Sequence, residues 1–386
     1  MKVPFFKLSP VDKEIEFVTE VLKSGWLTTA SKTAELERNF KEFCKVAHAL
    51  AVNSCTAGLH LSLEALGVSR GDKVIVPSLT FTASAEVIRY LDADPIIVDC
   101  DPETGLLTKE IVKNACDKYG EIKACVIVHY SGQSAEMTGI EGIIDFCESR
   151  QIKTVVDAAH AFPAYDTYGP VGSVGDITCF SFYANKTMTT GEGGMIVTNS
   201  QNLADRIKVM RLHGINRDIW DRFTKRGASW EYDVVAPGYK YNMPDVNAAI
   251  GIAQFHKADE FRLQRQRIAD IYTELLSREP RLKIFKSRVK RDYHAWHLFP
   301  IVLNSKFDRN VVIDKLTAKE IGTSVHYKPL HQLDYYKSTY NLSSADYPHS
   351  EKIWQSCLSL PIYPCMTTEQ AKYVVESLLD ILSELE

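Results

Sequence analysis

Short apolar runs alternate with stretches of helical spacing along the first two thirds of the chain. The runs lack polar alternation, as residues 125–128 illustrate, and this is typical of strands that are buried on both faces. Seven such runs are predicted strands: 49–52, 73–77, 95–98, 124–129, 154–157, 176–182 and 194–198. Helical segments such as 59–66 and 140–148 lie between them. This order predicts an α/β fold in which a mostly parallel seven-stranded sheet lies between layers of helices.

The pattern changes in the last third of the chain. An apolar stripe at helical spacing runs from residue 245 to about 277 and predicts one long helix. A strand-like run at 295–302, a helix near 311–320 and a terminal helix at 368–385 then predict a smaller α+β domain. We therefore expect a large α/β domain with its N-terminal segment over 1–255, and a connecting helix with a small C-terminal domain over 256–386.

Charge and cysteine usage narrow the class of protein. The 45 Lys and Arg against 49 Asp and Glu leave a net charge of −4, which argues against a nucleic-acid binder or a membrane-surface protein. Nine cysteines in no framework spacing, without a C-x-x-C, fit a reducing compartment and indicate no metal site. No apolar run approaches the roughly 18 residues of a membrane span. We expect a cytoplasmic protein.

Chemistry is expected at the carboxyl ends of the strands, where ligands bind in open α/β sheets. Ser54 and Thr56 follow the first strand and open a helix, which favours either a phosphate site or an ordinary N-cap. Asp157 ends a buried strand and needs a cation or a donor, so a structural salt bridge and a catalytic role are both open. His160 follows it and is by itself more typical of a structural histidine.

Two further strand ends carry an amine and an aromatic ring. Lys186 lies in a loop between two predicted buried strands, just before a Gly-Glu-Gly-Gly turn. Desolvation there would lower its pKa and make the amine a nucleophile able to form a Schiff base, whereas a solvent-facing hairpin is the plainer alternative. Phe81 follows another strand and is either a core residue or a flat lid over a planar ring.

Together these positions match the requirements of one cofactor. Pyridoxal phosphate needs a Schiff-base lysine, an acid on its pyridine nitrogen, a phosphate cradle and a stacked aromatic ring. Lys186, Asp157 and Phe81 supply the lysine, the acid and the ring. Ser54 or Thr56 with Ser181 would supply the cradle.

The chain resembles the DegT/DnrJ/StrS family of pyridoxal-phosphate sugar aminotransferases, which have fold type I. The resemblance covers nearly the whole chain. It is carried by these segments: 24–28, 156–161, Ser181 to Gly194 with Lys186, 238–243, 248–251, 295–299, 325–331 and 358–361. The family implies that Lys186 holds the cofactor as a Schiff base, Asp157 pairs with the pyridine nitrogen and Phe81 stacks on the ring.

The resemblance also assigns the remaining positions. His160 would lie near the 3-oxygen of the ring, and the amides of Thr56 and Ala57 with the Ser181 hydroxyl would hold the phosphate. Asn242 would reach the phosphate of a neighbouring subunit, which implies a homodimer with shared active sites; a local role as N-cap of the long helix is equally open. Trp26 and His326 would lie near the sugar, and the loop 217–230 would shape the pocket.

The reaction implied is transamination, with glutamate as amino donor and a nucleotide-linked keto-sugar as acceptor, giving an amino-sugar nucleotide for cell-surface polysaccharide. Residues 238–242 and 296–299 look closest to those of family members that aminate C4 of the sugar, and C3 is the near alternative. Relatives that dehydrate sugars carry His at the position of Lys186, so the lysine favours transamination. A noncatalytic relative of the same fold is the rival from another class. A dinucleotide-dependent dehydrogenase is excluded because no G-x-G-x-x-G follows a first strand.

Overall fold

The computed structural model describes residues 1–9, 11–216 and 232–386. The predicted pocket loop 217–230 therefore lies outside the described residues. The strands of the first half are β1 (His48–Val52), β2 (Lys73–Pro77), β3 (Asp94–Val98), β4 (Ala124–Val128), β5 (Lys153–Asp157), the short hairpin β6 (Tyr165–Asp166) and β7 (Gly169–Pro170), β8 (Ile177–Ser181) and β9 (Gly194–Thr198). Three further strands are β10 (Leu282–Ile284), β11 (Phe299–Leu303) and β12 (Cys357–Leu360).

Helices connect these strands and cover the sheet. They are α1 (Asp12–Ser24), α2 (Ser31–Cys44), α3 (Cys55–Ala65), α4 (Ala83–Arg89), α5 (Lys109–Tyr119), α6 (Ile143–Ser149), α7 (Gln201–Met210), α8 (Asp245–Phe255), α9 (Ala258–Leu276), α10 (Arg309–Ala318), α11 (Asp334–Thr339), α12 (Pro348–Ser356) and α13 (Thr368–Glu384). Among the described residues, no helix combines the length and the apolar character that a bilayer crossing requires.

The seven predicted strands form one sheet in the order β1-β9-β8-β5-β4-β2-β3. The pairings β8-β5, β5-β4, β4-β2 and β2-β3 are parallel, and β9 alone runs antiparallel to its two neighbours. The prediction of a mostly parallel sheet between helices is confirmed. Because six strands point the same way, their carboxyl ends lie at one edge of the sheet, and this edge carries the polar residues discussed below.

Each face of the sheet packs into its own hydrophobic cluster. Along β4, Cys125 and Ile127 enter one cluster, while Val126 and Val128 enter the other. This explains why the strands show no polar alternation in the sequence, since water reaches neither face. A third cluster, which includes Tyr272 of α9, lies beside the antiparallel sheet β10-β11-β12.

The single long helix predicted from residue 245 is wrong, because the structure has two helices, α8 and α9. Helix α8 ends at Phe255 and α9 begins at Ala258, and the ammonium of Lys257 between them pairs with Glu14 of α1 at 2.5 Å. The helices also have different partners: α8 packs against α1 and α2, and α9 packs against α13. No Pro or Gly marks the break at 256–257, so the periodicity continues through it.

The strand predicted over 295–302 is wrong in its first half. Strand β11 begins only at Phe299, because the preceding residues bind the loop that follows β4. Ala295 donates its N–H to Gly132, and Leu298 donates its N–H to Ser131. These two hydrogen bonds place His297 at the carboxyl end of the large sheet, where it lines a cavity.

Candidate active site

A cavity of about 380 Å³ opens at the carboxyl edge of the parallel strands. It is bounded by the N-terminus of α3, by the ends of β5 and β8, and by segments that arrive from the last third of the chain. Predicted site residues in its lining are Ser54, Thr56, Phe81, Asp157, His160, Ser181, Lys186 and His326. The lining also includes Cys55, His129, Tyr183, Glu192, His297 and Tyr327.

Lys186 brings the one amine into this cavity among its described lining residues. The loop after β8 holds it through a hydrogen bond from its backbone N–H to the carbonyl of Tyr183, at 2.9 Å. Burial lowers the pKa of the Lys186 amine to about 8, although Asp157 and Cys55 act in the opposite direction. An amine with this pKa is partly unprotonated near neutral pH, so Lys186 has the character of a nucleophile and not of a solvated surface charge.

Asp157 ends β5 and is 5% exposed. Its Oδ2 accepts the hydroxyl of Ser84 at 2.7 Å, and its Oδ1 accepts the N–H of Ala159 at 3.1 Å. Burial raises the pKa of the carboxyl, while these two donors and the Lys186 ammonium act to lower it. No Lys, Arg or His nitrogen of the described residues lies within 4 Å of it, so the salt-bridge alternative finds no support. The carboxylate is held by neutral donors and faces the cavity.

His160 lies three residues after Asp157 and is 6% exposed. Its Nε2 is 2.7 Å from the hydroxyl of Tyr327, and its ring centroid is 4.5 Å from that of His297. Burial, with the neighbouring charges of Lys186 and His326, lowers the pKa of His160 well below its ordinary value. The imidazole is therefore neutral at physiological pH. Its Nδ1 is buried and has no hydrogen-bond partner among the described residues.

The N-terminus of α3 has a side-chain N-cap and also leaves backbone N–H groups open. Ser54 is the N-cap, and its Oγ accepts the N–H of Ala57 at 3.0 Å. Ala57 is 4% exposed and does not line the cavity. The N–H groups of Cys55 and Thr56 have no acceptor among the described residues, so the helix presents open amides to an anion. The hydroxyl of Ser181 lies in the same cavity.

Phe81 is 57% exposed and therefore is not a core residue. Its ring lines the cavity, with its centroid 5.8 Å from that of Tyr327. His326 also lines the cavity, and its Nδ1 is 2.9 Å from Ser359 Oγ. Burial and the Lys186 charge lower the pKa of His326 to about 3. Both residues thus contact the space that a ligand would occupy.

Two predicted residues lie away from the cavity of this chain. Trp26 is not among its lining residues. Asn242 is not either, and its amide nitrogen donates to Thr29 Oγ1 at 2.6 Å. The local alternative for Asn242 is wrong, because the N-cap of α8 is Pro244 and no side chain caps that helix. Asn242 thus remains a candidate only for a role outside its own chain's cavity.

The sequence did not single out four lining residues as chemical groups, Cys55, His129, His297 and Tyr327, nor Ser84, which lies behind the lining and binds Asp157. His129 directly follows a buried strand, which is the same signal that identified Asp157. Its Nδ1 accepts the N–H of Ala135 at 3.3 Å, and burial lowers its pKa to about 3. Ser84 had no local signal, because its partner lies 73 residues further along the chain.

This donor set fits pyridoxal phosphate. Lys186 offers an amine of lowered pKa, and Asp157 offers a buried carboxylate for a protonated ring nitrogen. The open amides of α3 and the Ser181 hydroxyl suit a phosphate, and Phe81 offers an exposed aromatic face. The buried Nδ1 of His160 is a polar atom that a ligand oxygen would satisfy.

Comparisons with known proteins agree with this reading. The DegT/DnrJ/EryC1/StrS aminotransferase family matches residues 10–379. The chain is 41% identical over 387 residues to the uncharacterized protein MJ1066 of Methanocaldococcus jannaschii, covering 99% of this chain and 98% of that protein. It is 39% identical over 377 residues to the spore coat polysaccharide biosynthesis protein SpsC of Bacillus subtilis, covering 96% and 94%.

Solved structures share the fold along the full length. Spr1654 of Streptococcus pneumoniae, a protein assigned as a sugar aminotransferase, matches in its pyridoxal-phosphate form with a TM-score of 0.90 at 28% identity, over 100% of both chains. The pyridoxamine-phosphate form of the same protein matches with a TM-score of 0.89. The cofactor is accordingly pyridoxal phosphate, and the chain belongs to the DegT/DnrJ/EryC1/StrS family of sugar aminotransferases.

Proposed function

We propose that this enzyme transfers the amino group of glutamate to C4 of a nucleotide-linked keto-sugar and produces an amino-sugar nucleotide. The observation that carries the proposal is the Lys186 amine, with a pKa lowered to about 8, in the same cavity as the buried carboxylate of Asp157. Residues 238–242 and 296–299 look closest to those of family members that act at C4, which supports C4 over C3. The name of SpsC supports a product used for a cell-surface polysaccharide.

Each residue has a defined task in this proposal. Lys186 would hold the cofactor through its amine and would accept the proton that leaves the donor carbon. Asp157 holds the proton on the pyridine nitrogen. The bound pyridoxal phosphate supplies an electron sink for the substrate carbon that loses this proton. Thr56 and Ser181 bind the phosphate, Phe81 covers the ring, and Ala57 contributes only through the cap of α3. His326 contacts the sugar, whereas Trp26 does not line this chain's cavity and is given no task in it.

The substrate is tested with a panel of nucleotide-linked keto-sugars incubated with the purified enzyme and glutamate. Formation of 2-oxoglutarate with 4-keto substrates is the expected result. Turnover of 3-keto substrates alone would overturn the C4 assignment. Glutamate that gives no half-reaction, while other amino acids do, would overturn the donor. An enzyme inactive with every donor and sugar would favour the noncatalytic alternative.

We also propose that the active enzyme is a homodimer in which Asn242 serves the neighbouring subunit. Asn242 is 9% exposed but lies outside the cavity of its own chain, which supports a role in the other one. The free cysteines fit the reducing cytoplasm, where we place the enzyme.

Mixed dimers test this arrangement directly. Lys186→Ala and Asn242→Ala chains are each expected to be inactive or strongly impaired. The two chains are denatured together and refolded. If Asn242 acts across the interface, one site of each mixed dimer then has both an intact Lys186 and an intact Asn242. Activity is then recovered. A mixture that stays as inactive as its parents, with dimers verified by light scattering, would overturn the shared site.

A further inference from the structure

Tyr327 makes the one hydrogen bond that His160 has among the described residues. Its hydroxyl is 2.7 Å from Nε2, and the two rings lie nearly parallel, with centroids 5.8 Å apart and planes 28° apart. The other nitrogen, Nδ1, is buried without a partner. The nearest ring on that cavity wall is His297, whose own Nδ1 is buried without a partner as well. The bond to Tyr327 is thus the contact that orients the imidazole.

Counting donors decides which atom carries the proton in this bond. Burial raises the pKa of the Tyr327 phenol and lowers that of His160, so both groups are neutral. A neutral imidazole has one N–H donor and one acceptor nitrogen. If His160 donated from Nε2, both the phenol hydrogen and the Nδ1 lone pair would be left without partners. If the phenol donates to Nε2, only the N–H at Nδ1 is left.

We propose that Tyr327 is a positioning residue that fixes the tautomer of His160, so that the imidazole presents an N–H at Nδ1 to an acceptor oxygen in the cavity. This rests on the proposed function, because the acceptor is an oxygen of the cofactor or substrate. A hydroxyl at position 327 therefore determines whether the nitrogen that faces this oxygen carries an N–H or a lone pair. Loss of the Tyr327 hydroxyl would replace the N–H that faces the acceptor oxygen with a lone pair, which turns an attractive contact beside Lys186 into a repulsive one without removing the imidazole.

The chain offers a matched control for this phenol. Tyr130 donates its hydroxyl to the backbone carbonyl of His326 at 2.7 Å, so it anchors the same segment through a bond of the same length. It is 1% exposed and its ring centroid is 6.4 Å from that of His160, but the hydrogen bond of the His160 ring among the described residues is to Tyr327. Tyr130→Phe therefore removes one buried phenol bond while leaving the tautomer of His160 unchanged, whereas Tyr327→Phe removes the bond that sets it.

The tautomer is read by NMR of ¹⁵N-histidine-labelled holoenzyme, in which protonated and unprotonated ring nitrogens have separate chemical shifts. His160→Gln identifies the signals by their loss. In the wild type and in Tyr130→Phe, we expect a protonated Nδ1 and an unprotonated Nε2. In Tyr327→Phe, we expect protonation to appear at Nε2. We also expect kcat to fall about tenfold, with KM for glutamate within about twofold of the wild-type value.

Two NMR results would overturn the inference. One is a wild-type His160 protonated at Nε2, and the other is an unchanged signal pattern in Tyr327→Phe. Equal losses of kcat in Tyr327→Phe and Tyr130→Phe would also overturn it, because they would reduce Tyr327 to a structural anchor. The expected NMR pattern in an enzyme that accepts no keto-sugar would support the tautomer while contradicting the proposed substrate, so the two failures are distinguishable.

Discussion

Removing the hydroxyl of Ser84 tests whether the Asp157 carboxylate is held for catalysis. Ser84 is fully buried and donates to Asp157 Oδ2 at 2.7 Å, and its Oγ is also 2.8 Å from Thr80 Oγ1. A hydrogen bond to a charged group contributes about 1.5–3 kcal/mol. At about 1.4 kcal/mol for each factor of ten, Ser84→Ala is expected to lower kcat/KM by roughly 10- to 100-fold.

The variant should also shift the pH profile in a direction that follows from the same bond. Ser84 lowers the pKa of a carboxyl that burial raises, so its removal raises that pKa further. In its proposed role, Asp157 is ionised and holds a protonated ring nitrogen, and its carboxylate is lost as the pH falls through its pKa. The acidic limb of kcat/KM against pH is therefore expected to move to higher pH in Ser84→Ala.

The assay is the half-reaction with the proposed donor, glutamate, followed by the absorbance of the cofactor between about pH 5 and 9. Ser84→Thr keeps a hydroxyl and should recover most of the rate. Ser62→Ala is a matched control, because Ser62 is equally buried but donates to the carbonyl of Gly58 at 2.7 Å. An unchanged kcat/KM in Ser84→Ala, or an equal loss in Ser62→Ala, would refute the role given to this hydroxyl.

Three further predictions concern the lysine, an acidic residue of the last third and a glycine. Lys186→Ala should keep its fold and bind pyridoxal phosphate noncovalently, but borohydride treatment should leave no cofactor mass on the protein; a retained mass would contradict the assignment. Burial alone would raise the pKa of Glu351, yet hydrogen bonds, the largest from His331, lower it to about 2. The ionised Glu351 therefore stabilises the fold above its ordinary pKa, and this stabilisation is lost as the pH falls from about 4.5 toward 2. In urea titrations, the free energy of unfolding of Glu351→Gln should fall less than that of the wild type over this pH range, by up to about 3 kcal/mol. Equal acid sensitivity of both proteins would disprove this. In Gly194→Ala, the added Cβ would lie 2.8 Å from the Cys55 nitrogen, which should destabilise the fold by about 1–3 kcal/mol, and an unchanged thermal midpoint would contradict that expectation.

Local sequence pattern suffices to place individual strands of the large sheet. Strands β2 and β9 have the predicted bounds, 73–77 and 194–198. Their length and apolar content are properties of a few adjacent residues, and both faces of the sheet are buried, so the runs are continuous. The sequence does not show the helix break at 256–257, because the break depends on which helices pack against α8 and α9. A periodicity of 3.6 residues carries no information about these packing partners.

The sequence by itself determined the kinds of chemical groups that stand at the strand ends, because a polar residue after a buried apolar run is visible locally. Only the tertiary structure decided how those groups are held. Ser84 reaches Asp157 across 73 residues, and Tyr327 reaches His160 across 167. Such contacts depend on how distant segments pack, and their hydrogen bonds and desolvation then set the protonation of the carboxylate, the imidazole and the amine of Lys186.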